Sequence, residues 1–116
     1  MSKIKEFQEE REDYNAILAK YANRSQKTFF GLDGKTYQAD ALDKKTKELL
    51  GFVASLVLRC DDCILYHLIE CHKAGVNSKE LADAVSIGML VGGSITIPHV
   101  RRAMKVWDEE LANDGE

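Results

Sequence analysis

Residues 43–75 read DKKTKELLGFVASLVLRCDDCILYHLIECHKAG. Asp43 can cap the free amide groups of a first helical turn. Helix formers lead from it through Glu48 into the apolar run Leu49–Leu58. That run is long for a buried strand and apolar nearly all round, so the spacing predicts a helix with a central place in the fold. Polarity returns at Arg59-Cys60-Asp61-Asp62. Either aspartate favours the first turn of a new helix, because negative charge there meets the positive end of the helix dipole. The new helix should run to Lys73 and stop at Gly75.

The rest of the chain reads the same way. A first helix is expected from Lys3 to Asn23, with Ile4, Phe7, Tyr14, Ile17, Leu18 and Tyr21 forming one apolar stripe. Arg24–Asp40 has no clean period, and Gly31 and Asp33-Gly34 mark turns there. Asp33-Gly34 could close a hairpin, but its flanks do not alternate. Asn77-Ser78-Lys79-Glu80 resembles a capping box, and a helix follows from Leu81 to about Val91. Gly92-Gly93-Ser94 breaks that helix or lets another approach closely. Pro98 fits the first turn of a last helix, with Thr96 as its cap. That helix carries Val100, Ala103, Met104, Val106, Trp107 and Leu111, and the tail Asn113–Glu116 is expected to fray. With one proline in the chain and few β-branched clusters, the expectation is an all-α bundle of about five or six helices.

Length and charge narrow the function. A chain of 116 residues suits one domain. Within it, residues 1–40 read as an N-terminal helix and connection, and residues 41–112 as the helical core. Apolar residues at 45% and charged residues at 30% are ordinary for a globular protein and argue against intrinsic disorder. A net charge of −3 argues against nucleic acid as a partner. Leu49–Leu58 and Ile87–Ile97 are too short or too interrupted to span a bilayer, so no membrane role is expected. The start, Met1-Ser2-Lys3-Ile4-Lys5-Glu6, lacks the apolar core of a secretory signal, and a cytoplasmic location is the expectation. Three cysteines in such a chain point to thiol chemistry or metal rather than a disulfide framework.

On a helix, Cys60, Cys63 and His67 stack on one face. Two thiols at this spacing can close into a disulfide at a helix start. The amide groups and dipole of a first turn favour thiolate over thiol, while Asp61 and Asp62 oppose it. His67 can take the proton from Cys63, which activates a nucleophilic thiol. A chance pair of buried cysteines is the plain alternative. Zinc is another, since Cys60, Cys63, His67 and Cys71 offer four soft ligands. Eleven residues of helix put Cys71 roughly 16 Å from Cys60, however. One ion cannot reach both ends, which leaves at most a three-ligand site and makes Cys71 a small buried residue. His72 and His99 read as solvated or structurally bonded, and Arg101-Arg102 as a solvated face or an ion pair. Trp107 and Met104 read as core or subunit interface. Glu48, early on an apolar helix, reads by position alone as its exposed end.

Glu48, then eleven residues, then Cys60-x-x-Cys63-x-x-x-His67, resembles the active-site signature of the alkylhydroperoxidase D-like family, part of the carboxymuconolactone decarboxylase superfamily. The likeness extends through Leu42–Glu48, the apolar run, Lys73-Ala74-Gly75, Lys79-Glu80-Leu81 and Gly92-Gly93, over about residues 40–107. It implies that Cys63 is the peroxidatic nucleophile and Cys60 the resolving thiol. It also implies that His67 and Glu48 relay protons, which replaces the exposed-end reading of Glu48. One position departs from the family. The best-known peroxidatic members carry a histidine between the cysteines, where this chain has Asp62. A carboxylate there disfavours a neighbouring thiolate.

The resemblance thus implies a peroxidase-type oxidoreductase. A hydroperoxide would oxidise Cys63 to a sulfenic acid, Cys60 would condense with it, and a thiol reductant or reductase protein would reset the pair. That scheme calls for no metal and no organic cofactor. The resemblance also implies a homotrimer, or a homohexamer built from trimers. Two other readings stay open: a thiol–disulfide oxidoreductase without peroxidase activity, and a non-redox domain like the namesake decarboxylases.

Overall fold

A computed structural model describes residues 2–112. It contains six α-helices and no strand among the described residues, so the chain is all-α, as expected. The tail from Asn113 on lies outside the described residues. The chain divides into two compact units, with the boundary between Gln38 and Ala39.

The first unit holds α1 (Lys3–Tyr21) and α2 (Arg24–Thr36). Ser2 caps α1, its hydroxyl accepting from the Lys5 amide at 3.0 Å. Asn23 is not the end of α1 but the cap of α2, in a reciprocal box with Gln26. The expected connection over Arg24–Asp40 is therefore mostly helix. Gly31 and Gly34 mislead as turn signals, because both sit inside α2, where glycine costs up to about 1 kcal/mol against alanine without preventing a helix. Neither helix buries a residue, and Tyr21 and Phe29 are largely exposed.

The second unit holds α3 (Lys44–Leu58), α4 (Asp61–Lys73), α5 (Ser78–Gly92) and α6 (Ile97–Val106). Asp43 caps α3, accepting from the Thr46 amide at 2.8 Å. Asn77 and Glu80 form the expected capping box of α5. Gly75, at φ 89°, follows the end of α4 and takes the left-handed turn that suits glycine. Thr96 precedes Pro98 as expected but does not cap α6 with its side chain. It closes a short 3₁₀ turn, Ser94–Thr96, and its hydroxyl donates to the Gly93 carbonyl at 2.8 Å. After α6 the chain widens into a single π-type turn, Trp107–Leu111.

Helix α3 packs along both α4 and α5, which gives it the central place its composition predicted. The core consists of Phe52 and Leu56 from α3, Ile64, Leu65, Leu68, Ile69 and Cys71 from α4, Leu81 and Val85 from α5, and Ala103 and Val106 from α6, with Val76 just before α5 and Trp107 just after α6. Packing is close at Gly92, where a Cβ would come within 2.6 Å of the Thr96 methyl. Trp107 donates its indole N–H to the Ser78 hydroxyl at 2.8 Å and stands edge-on to His72. Trp107 is thus core. Several apolar side chains of the unit stand open: Leu50, Leu58, Ile87, Leu90, Val91 and Ile95 are all more than half exposed. Among the described residues no helix is long and apolar enough to cross a membrane.

Candidate functional site

A two-residue connection joins α3 to α4. Arg59 adopts the left-handed conformation at φ 58°. Its amide donates to Leu56, and the Cys60 amide donates to Ser55, which closes the end of α3. Cys60 is then extended and occupies the N-cap of α4. Its sulfur accepts from the Cys63 amide at 3.3 Å, the task usually given to a Ser or Asp oxygen. Cys60 and Cys63 are joined by a disulfide across a Cα separation of 5.2 Å. Cys63 is exposed and Cys60 partly so. The expected pairing at a helix start is present.

One turn further into α4, His67 is buried. Its Nδ1 lies 2.9 Å from Oε1 of Glu48 on α3. Glu48 is only 1% exposed, so the exposed-end reading from chain position is wrong. Glu48 shares a helical stripe with Phe52 and Leu56, spaced by four and eight residues, and that stripe is the buried one. Its second oxygen accepts from Lys44 Nζ at 2.9 Å. The hydrogen bond to Glu48 holds the Lys44 ammonium above its usual pKa, against the opposing pull of burial. A carboxylate can only accept, so the hydrogen bond to Glu48 places the proton of His67 on Nδ1 and makes Nε2 the basic nitrogen. Lys44 is a member of this network that residue-by-residue reading missed, although its i,i+4 spacing to Glu48 is a recognisable signal.

A second charged cluster lies at the start of α4. Asp61 Oδ1 is 2.7 Å from His99 Nδ1, and Asp61 Oδ2 is 3.1 Å from an Arg102 nitrogen. Burial works against the charge on Asp61, but His99 and Arg102 outweigh it and hold the carboxyl below its usual range. The reading of Arg102 as an ion pair is thus met, and His99 is bonded rather than solvated. Asp62, beside Cys63, is exposed and makes no ion pair among the described residues.

Cys71 is fully buried and not disulfide-bonded. Desolvation, helped by the charges of Glu48 and Glu70, pushes its thiol up to about 12, so it stays protonated and inert. No group of three or more His, Cys, Asp or Glu among the described residues is placed to hold a metal ion.

A solvent-accessible disulfide at a helix cap, one turn from a buried carboxylate–imidazole pair, defines a class of helical cysteine site. Residues 24–106 match the carboxymuconolactone decarboxylase family, and the chain belongs to that family. An uncharacterised protein of the cox locus of Paracoccus denitrificans is 26% identical over 81 residues, 70% of this chain and 73% of that one. Two crystal structures of TM1620 from Thermotoga maritima align with TM-scores of 0.88 and 0.85. They are 48% and 47% identical and cover 90% of this chain and 92% and 88% of theirs. TM1620 is a carboxymuconolactone decarboxylase family protein with a suggested involvement in antioxidative response. The apo form of lpg0406 from Legionella pneumophila, of the same family, shares the fold at 23% identity, with a TM-score of 0.84 over 94% of this chain and 97% of that one.

Proposed function

We propose that the protein reduces hydroperoxides through the Cys60/Cys63 couple, with His67 and Glu48 handling the proton. His67 Nε2 draws the proton from Cys63, and Glu48 stabilises the imidazolium through Nδ1. The Cys63 thiolate attacks the peroxide, ROOH. The O–O bond breaks, Cys63 becomes a sulfenic acid, and the departing alkoxide leaves as ROH with the proton from His67. The Cys60 thiol then attacks the sulfenic sulfur, giving the Cys60–Cys63 disulfide and water. An external dithiol returns two electrons and two protons and is itself oxidised to a disulfide. The cycle uses neither metal nor organic cofactor, and it suits a thiol-reducing compartment such as the cytosol. The exposed Leu50, Leu58, Ile87, Leu90, Val91 and Ile95 support self-association, for which the family resemblance implies a homotrimer or a homohexamer built from trimers.

The observation that carries this reading is the buried Glu48–His67 hydrogen bond one helical turn beneath an exposed Cys60–Cys63 disulfide. The suggested antioxidative role of TM1620 supports it further. A second reading, a thiol–disulfide oxidoreductase, rests on Asp62 standing where the best-known peroxidatic members of the family carry a histidine. The test is peroxide-dependent turnover with a panel of thiol reductants, comparing wild type, Cys63→Ser and Asp62→His. Turnover lost in Cys63→Ser and raised in Asp62→His is the expected result. Reduced protein oxidised by added disulfides but not by peroxide would favour the second reading. Inertness to both would refute the redox role and leave a decarboxylase-like domain.

A further inference from the structure

The cluster of Asp61, His99 and Arg102 touches neither sulfur, yet it decides how much negative charge surrounds them. Asp61 follows Cys60 directly, and Asp62 precedes Cys63. Two unbalanced carboxylates in one turn would cancel the positive end of the α4 dipole and disfavour a thiolate there. Of these two, only Asp62 lacks an ion pair among the described residues. The Asp61 carboxylate, though about half exposed, is bonded to two groups from α6: His99 on Oδ1 at 2.7 Å, and Arg102 on Oδ2 at 3.1 Å with a longer contact to Oδ1 at 3.5 Å. The Nδ1 of His99 must carry its proton to donate to Asp61. The Arg102 nitrogen lies 3.1 Å from that same Nδ1, so its charge sits beside the bond.

We propose that His99 and Arg102 are positioning residues that set the reduction potential of the Cys60/Cys63 couple by neutralising Asp61. This rests on reading the pair as a redox couple. Reduction of the disulfide takes up two electrons and one proton when Cys63 remains a thiolate and Cys60 a thiol. Whatever stabilises that thiolate stabilises the reduced form and makes the couple more oxidising. Loss of Arg102 leaves Asp61 unbalanced and makes the couple more reducing. Loss of the Asp61 charge leaves Arg102 unbalanced and does the reverse. Loss of both restores the balance. The opposite signs of the two single variants mark a charge effect, because a damaged packing contact would shift both in the same direction.

The experiment equilibrates the full chain with glutathione buffers of graded ratio, according to disulfide + 2 GSH ⇌ dithiol + GSSG. An acid quench, alkylation and mass analysis of the Cys60–Cys63 peptide then follow. Arg102→Gln should lower the equilibrium constant about three- to fivefold, or about 14–20 mV. Asp61→Asn should raise it, and Asp61→Asn with Arg102→Gln should return to within about twofold of wild type. Arg102→Lys should keep most of the wild-type value. Circular dichroism checks the fold of each variant, and Asp61→Asn, with its opposite sign, carries the test if Arg102→Gln does not fold. Constants agreeing within about 1.5-fold across the set would overturn the inference alone, as would a double variant lower than Arg102→Gln. A wild-type pair that does not cycle at all would overturn the redox reading and this inference with it.

Discussion

Replacing Glu48 separates the structural role of the buried network from its chemical one. Glu48→Ala removes the acceptor of the buried His67 Nδ1. Leaving such a donor unpaired costs about 1–3 kcal/mol. The lost Cγ methylene adds about 0.8 kcal/mol of apolar burial. Part of this is recovered, because a desolvated carboxylate disappears and the half-exposed Lys44 returns to water. A net loss of about 1–3 kcal/mol corresponds to a melting point lower by roughly 4–15 °C for a chain of this size. Glu48→Gln keeps the volume and an oxygen for Nδ1, and Lys44 can turn to solvent. Its cost should stay below about 1 kcal/mol. The amide cannot stabilise an imidazolium as a carboxylate does, so peroxide turnover should still fall by about a hundredfold or more. Thermal melts followed by circular dichroism, alongside turnover with excess reductant, check both halves. An alanine variant melting within 2 °C of wild type would refute the structural half. A glutamine variant keeping more than about half the turnover would refute the chemical one.

Other outcomes follow from the same physics. Gly31→Ala and Gly34→Ala should each stabilise α2 by about 0.5–1 kcal/mol, since a Cβ at either site meets nothing within 4 Å; urea titration reads this directly. Gly92→Ala should destabilise by about 1–3 kcal/mol, because its Cβ would collide with Thr96. Cys71 should resist iodoacetamide at pH 8 in the native chain and react once unfolded. The raised pKa of its thiol means that stability falls as the pH climbs past 9.0, where the unfolded chain ionises first. Asp61, whose folded pKa is lowered, contributes stability above its ordinary value of 3.8 and loses it as the pH falls through the folded value. The difference in urea stability between wild type and Asp61→Asn should therefore close below about pH 4, and at neutral pH it should be under about 1 kcal/mol for so exposed a group.

Local signals placed the ends of α3, α4 and α5 from sequence, because Asp43, Gly75, Asn77 and Glu80 act on their own helices. The same kind of signal lay in Asn23 and Gln26, but Gly31 and Gly34 masked the helix behind it. The Cys60/Cys63/His67 face was legible because a helix repeats its contacts every turn. Glu48 was not legible by position, since its exposure depends on which face of α3 meets α4. Its i,i+4 step to Phe52 held the answer. The Asp61–His99–Arg102 cluster spans about forty residues of chain and exists only because α6 crosses the start of α4. No local pattern encodes that crossing.

The cap on α4 is itself a sulfur, and this has a practical consequence. A serine at position 60 would keep an acceptor for the Cys63 amide, so the helix should begin where it does now. What disappears is the thiol that expels an attached group from Cys63. Such a variant becomes a covalent snare for a donor that reacts through one cysteine, which should stay bound to Cys63 until reductant releases it, whereas a dithiol donor frees itself with its second thiol.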